Sequence, residues 1–180
     1  MRQLREPAGP AIDIMIDFHG RTYLPAAIAY INAIADSTGE RLTNRYQFLP
    51  IFERRAAHII QPDLCHCGGL LEARKIAAMA EAHFIAVAPH NPLGPIANAA
   101  ALHFYLATPN FIIQEDMLSD VPWRWEVVNS KLQSESGYWL VPDAPGFGVE
   151  VNEDLARKHP FVQEPLQSVV YAPDGAVLDR

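Results

Sequence analysis

The 180-residue chain has few cysteines, no long apolar run and no block of one charge. Its two cysteines, Cys65 and Cys67 in "LCHCGG", are one residue apart, too close to make good disulfide partners. A Cys-His-Cys run hints at zinc, but no second Cys/His cluster at zinc spacing completes four ligands, which excludes a structural zinc site. The pair is expected to be two free thiols. No apolar run approaches the ~18 residues of a membrane span. The opening "MRQLREPAGP" lacks the apolar core of a signal peptide. A cytoplasmic protein without membrane association is therefore expected. No Lys/Arg block stands out and the formal net charge is -7, so nucleic-acid binding has no electrostatic support. Low-complexity segments and internal repeats beyond a βα period are missing too.

What remains is a globular composition, 49% hydrophobic and 19% charged, with the length for one core. Four short apolar runs each stop at polar residues: "IDIMIDFH", "HIIQPD" (58–63), "FIAVAPH" (84–90) and "NFIIQED" (110–116). Continuous apolar runs of this length suit strands buried on both faces, as in parallel sheets. Helical patterns lie between them. "GGLLEARKIAAMAEAH" places Leu70, Ala73, Ala77, Ala80 and Phe84 at helical spacing and is rich in good helix formers. "PLGPIANAAALHFYLA" has Pro95 where a first turn tolerates it. "PAAIAYINAIAD" also reads as helix. The alternation predicts a parallel α/β fold. From Trp123 onward the chain is rich in Pro, Gly and aromatics, which predicts a short helix and then an extended segment wrapping the outside.

The strand ends carry Asp17, His19, Glu40, Asp63, His90 and Glu115, spaced by 23, 23, 27 and 25 residues when one residue is counted per later end. That is about one βα unit each. Side chains at i and i+2 of a strand share a face, so Asp17 and His19 are expected to point into one space. In parallel α/β barrels, catalytic residues come from the C-terminal ends of several strands. Each residue has a plainer reading: Asp63 as a helix N-cap, His90 as a loop residue, Glu40 beside Arg41 as a surface charge. Recurrence at equivalent places favours a shared site. His58, His83, His103 and His159 sit away from the strand ends and are expected to be structural. Oxygen ligands without thiolates favour Mg²⁺ over zinc. Magnesium could bind a substrate carboxylate, a nearby imidazole could take the α-proton, and Asp63 bonded to His90 would fix its tautomer.

"DIMIDFHGR", "TGERL", "IIQPDLCHCGGLLEARKIAAMAE", "VAPHNPLGPIANAAAL" and "IIQED" resemble the mandelate racemase and muconate lactonizing branch of the enolase superfamily. The resemblance is nearest to its galactonate-type sugar-acid dehydratases. It runs over most of residues 5 to 155 and includes "PGFGVEV". It implies a partial (β/α) barrel over residues 1–122, the C-terminal barrel domain alone with strands missing, and a C-terminal helix and wrapping tail over 123–180.

It implies Asp17 and Glu40 as metal ligands, His19 as the acid for the departing 3-hydroxyl, His90 as the base at C2, Asp63 as its dyad partner, and Glu115 as a stabiliser of the enediolate. His66 and Arg21 lie in matching stretches without an assigned role. The reaction implied is Mg²⁺-dependent dehydration of a sugar acid to a 2-keto-3-deoxy acid, with racemisation or dehydration of another aldonate left open. The family's barrels are commonly assembled into larger complexes, so a homo-oligomer is compatible with the resemblance.

Two features depart from the family. The chain is expected to start about two strands into the barrel, without the family's N-terminal capping domain. The family's Glu-Glu-Pro metal-ligand motif does not occur, and no apolar run leads into Glu40. Residues 34–38 read as a junction where a strand and its helix were lost. Such a chain taken alone is expected to be catalytically impaired.

Overall fold

In the computed structural model, the described residues are 37–117, 121–130, 132–163, 170–171 and 177–178. The expected strand around residues 11–19 and the helix over 25–36 lie outside them, as do Asp17, His19 and Arg21.

Three strands, β1 (Ser37–Thr38), β2 (Ile59–Ile60) and β3 (Ala86–Val87), form a parallel sheet in the order β1-β2-β3. The register pairs Thr38 with Ile60 and Ile60 with Val87. Phe111 extends the sheet through a parallel bridge to Val87, closed by Val87 N–H donating to Asn110 O (2.9 Å) and Ile112 N–H donating to Val87 O (3.0 Å). Helices α1 (Arg45–Glu53), α2 (Leu70–Ala82) and α3 (Pro95–Leu106) occupy the crossovers. This is the parallel α/β alternation read from the sequence. The run "NFIIQED" departs from that reading, because Ile112 and Ile113 are exposed rather than buried on both faces. Among the described residues no strand pairs with the outer edge of this segment.

Helix α1 has no counterpart in the sequence expectations. Pro50 lies inside it, where it removes one backbone donor and hides the helical pattern. The helix starts because the Asn44 side chain accepts from Tyr46 N–H (3.1 Å) and Gln47 N–H (3.3 Å). Its Phe48, Ile51 and Phe52 pack with Ala73, Ile76, Ala77 and Ala80 of α2 to make the core. Glu72, in the first turn of α2, accepts from both the Arg45 amide (3.1 Å) and its guanidinium (2.6 Å), tying the two helix starts together.

Phe84 is not on the apolar face of α2 as its spacing suggested; it is 95% exposed. The helix ends at Ala82, and Phe84 takes φ +59° to reverse the chain. Ile85 N–H then donates back to Ala80 O (2.9 Å), and Ile85 takes the buried place.

Beyond the sheet, residues 122–127 form turns rather than the expected short helix. Antiparallel pairs follow: β4 (Val128–Ser130) with β7 (Val149–Val151), and β5 (Ser134–Glu135) with β6 (Tyr138–Trp139). Among the described residues of the tail the one short helix, α4 (Glu153–Ala156), comes after β7, and β8 (Val170–Tyr171) pairs with β9 (Val177–Leu178).

Gly39 joins β1 to Glu40 at φ +122°, and a Cβ there would lie 2.6 Å from Cε1 of the buried Phe48 ring. Backbone strain and overpacking therefore combine at one position. Gly39→Ala is expected to lower stability by about 2–4 kcal/mol, read as a reduced urea midpoint at unchanged slope.

Candidate active site

Each strand of the sheet delivers one polar side chain just past its C-terminal end. Glu40 follows β1, Asp63 follows β2 and His90 follows β3, while Glu115 follows the Phe111 bridge. Parallel strands in register bring these four ends to one side of the sheet.

Asp63 is fully buried, with both oxygens engaged. Its Oδ1 accepts from the amides of Cys65 (2.7 Å) and His66 (3.2 Å), which caps the turn after β2; Asp63 is not a helix N-cap, because α2 starts at Leu70 behind Gly69. Its Oδ2 lies 2.9 Å from His90 Nδ1, so it is also half of a carboxylate–imidazole dyad. Burial opposes ionisation of Asp63, but the His90 hydrogen bond, the Cys65 amide and the charges of His66 and His90 outweigh it, holding the carboxyl below its usual range. Burial also opposes the His90 imidazolium. The hydrogen bond to Asp63 and the charges of Glu115, Asp63 and Glu40 prevail there, and the imidazole pKa is raised.

The His90 side chain is 14% exposed, and its Nε2 is 4.0 Å from Glu115 Oε2. Glu115 Oε2 also accepts from Asn91 N–H at 3.0 Å. With Nδ1 donating to Asp63, Nε2 is left as the basic nitrogen, beside Glu115.

Glu40 is 5% exposed, which corrects its reading as a surface charge. Its Oε1 is buried and has no hydrogen-bond partner among the described residues. A buried carboxylate oxygen without a donor is costly, and a hard divalent cation is a ligand that satisfies it. Glu40 thus fits one magnesium ligand. The described residues contain no cluster of three or more His, Cys, Asp or Glu that could hold a metal.

Of the four imidazoles placed away from the strand ends, three contact aromatic rings. His83 stacks on Phe52 and His159 on Trp123 (4.2 Å between centroids), His103 lies 5.8 Å from the Phe147 ring, and His58 is exposed. Cys65 and Cys67 are free, as expected, and burial pushes the Cys67 thiol up to about 12.

A polar relay behind the site escaped the sequence reading. Asn91 Nδ2 donates to Asn98 Oδ1, and Asn98 Nδ2 donates to Asp116 Oδ1 (2.8 Å). Trp139 Nε1 donates to Asp116 Oδ2 (2.7 Å). The available signal was Asn98, a polar residue on the buried face of the Ala-rich α3.

Residues 34–155 match the family described as enolase C-terminal domain-like. The chain belongs to the enolase superfamily. It is 33% identical over 213 aligned residues to the D-galactonate dehydratase of Pectobacterium atrosepticum, covering 98% of this chain and 56% of that protein. The D-galactonate dehydratase of Xanthomonas campestris is 35% identical over 87% of this chain and 50% of its own length. This enolase-superfamily chain therefore spans about half the length of the curated relatives it matches. Among solved structures, an enolase from Agrobacterium radiobacter with sodium and L-malate bound superposes with a TM-score of 0.77 at 33% identity, over 98% of this chain and 55% of that one. A mandelate racemase/muconate lactonizing enzyme from Jannaschia sp. CCS1 gives 0.75 at 27% identity, over 91% and 49%. The fold is thus α/β, a partial barrel of the enolase-superfamily type. Among the described residues no helix is long and apolar enough to cross a membrane.

Proposed function

We propose that this chain carries the proton-transfer half of a magnesium-dependent hydro-lyase that dehydrates a sugar acid of the D-galactonate type to a 2-keto-3-deoxy acid. The observation that carries the reading is the Asp63–His90 hydrogen bond of 2.9 Å, with Nε2 facing Glu115. Asp63 holds the proton on Nδ1, so Nε2 is the nitrogen that takes the proton from C2. The buried carboxylate then stabilises the imidazolium that forms. Glu115, beside Nε2, helps to stabilise the enediolate. His19 protonates the departing 3-hydroxyl, and Asp17 joins Glu40 as a ligand. Magnesium held there would supply positive charge beside the substrate carboxylate, acidifying the C2 proton.

A second reading, a catalytically impaired chain with an internal deletion near residues 34–38, has its own support. The 213 positions aligned with the Pectobacterium relative include about 176 residues of this chain, 98% of 180, which leaves about 37 positions of the relative without a counterpart. That is somewhat more than one βα unit. A cation site missing a carboxylate from such a unit binds more weakly.

One assay separates the two readings. The 180-residue chain is incubated with Mg²⁺ and a panel of aldonates in D₂O, with 2-keto acid and deuterium at C2 both followed. Dehydration predicts magnesium-dependent 2-keto acid from D-galactonate or a close relative. Deuterium exchange without 2-keto acid keeps the base and removes dehydration. Neither signal, at millimolar Mg²⁺, overturns the active reading in favour of the impaired one.

A further inference from the structure

We propose that Asp116 and Trp139, acting through Asn98 and Asn91, are positioning residues that hold Glu115 against His90. Their role in turnover rests on the function proposed above; their effect on geometry does not.

Glu115 is the least protected of the four described residues of the site. Its side chain is 43% exposed, and it lies on a segment whose Ile112 and Ile113 are also exposed. Among the described residues two hydrogen bonds reach Glu115 directly, both from Asn91: the backbone amide donates to Oε2 (3.0 Å), and Nδ2 donates to the backbone carbonyl (3.4 Å). The next residue is gripped much harder. Asp116 accepts from Asn98 of α3 through one oxygen and from Trp139 of β6 through the other, at 2.8 and 2.7 Å. The two neighbouring carboxylates meet different partners, Asp116 on Asn98 and Trp139 and Glu115 on the Asn91 amide beside His90, so fixing Asp116 fixes where the chain presents Glu115.

The donors are themselves held in place. Asn98 is buried, and its Oδ1 is engaged by Asn91. The Trp139 ring lies 5.9 Å from the Trp125 ring, which orients the indole N–H. Asp116 and Trp139 line the same groove of about 720 Å³ behind the segment, with Tyr105 and Ile113. The relay thus connects the β5–β6 hairpin to the reacting end of the site, so this part of the tail is a support of the site rather than only a wrapping.

The Asn91 amide proton reports the geometry directly, because a charge-assisted bond to a carboxylate shifts it downfield. It is read by ¹H–¹⁵N NMR on the substrate-free 180-residue chain. Glu115→Ala defines the position without the bond. Trp139→Phe, which removes the indole donor together with part of the ring, is expected to move the Asn91 proton upfield by more than half of that change. Asp116→Asn, which keeps the side-chain size, is expected to move it in the same direction, and it carries the test if Trp139→Phe does not fold. In the D₂O assay, both variants are expected to lower kcat for exchange at C2 with KM unchanged. An Asn91 resonance that stays in place in the folded variants while Glu115→Ala displaces it overturns the proposal, and so does an Asn91 resonance indifferent to Glu115→Ala. A chain without activity sinks the function proposed above but leaves the NMR result standing.

Discussion

With the proposed role of His90 as the C2 base, His90→Asn is expected to reduce deuterium exchange at C2 of an aldonate by ~10²–10⁴-fold, the usual range for a positioned general base, while the fold survives. Asn places an amide nitrogen near the position of Nδ1, so a donor to Asp63 Oδ2 is retained and the buried carboxylate stays paired. What it lacks is Nε2, the atom that faces Glu115 at 4.0 Å. His90→Leu removes both atoms, and it is expected to lose stability as well as exchange. The comparison therefore separates the base from the dyad's structural contribution. The pH dependence carries a sign. A base must be neutral to accept a proton, and the His90 pKa is raised by its hydrogen bond to Asp63 and the nearby carboxylates, which together outweigh burial. Exchange is thus expected to rise with pH through a midpoint above the ordinary histidine value of about 6.5. A His90→Asn chain that exchanges C2 hydrogen at the parent rate removes His90 from the chemistry.

The dyad was legible in the sequence for a physical reason. A strand buried on both faces reads as an uninterrupted apolar run, and polar residues can return only where the strand leaves the sheet. "HIIQPD" and "FIAVAPH" therefore mark the positions of Asp63 and His90 in text alone, and parallel pairing of β2 with β3 does the rest. Glu40 was harder, because its strand is two polar residues, Ser37–Thr38, with no apolar run to announce it. Helix α1 was hidden by Pro50, and Phe84 was misplaced because helical spacing continues in the text after the helix has stopped. The relay through Asn98, Asp116 and Trp139 was illegible in another way. Its members lie on three separate elements, and no periodicity links an asparagine on α3 to an indole on β6.

Asp63→Ala is expected to cost about 3–5 kcal/mol, the range for removing one partner from a buried charged pair. The loss has three parts: the amides of Cys65 and His66 each lose their acceptor, and His90 Nδ1 loses its partner. Asp63→Asn is the more informative variant. Its oxygen can still accept from the two amides, but its nitrogen meets His90 Nδ1 as donor against donor. The imidazole relieves this by moving its proton to Nε2, which leaves the base in the wrong tautomer. Asp63→Asn is therefore expected to fold better than Asp63→Ala and yet lose exchange at C2 by ~10²-fold or more.

The pair's stability should also depend on pH from both sides. The Asp63 pKa is depressed, so its contribution is complete above about pH 3.9, its unfolded value, and is lost as pH falls through the lower folded value. The His90 pKa is raised, so its contribution is complete below about pH 6.5 and is lost as pH rises through the higher folded value. The gap in Tm between parent and Asp63→Asn should then be widest from about pH 4 to 6.5 and close on either side. Thermal melts from acid to alkaline pH read this directly, and a constant gap would mean that the dyad carries no charge-dependent stability.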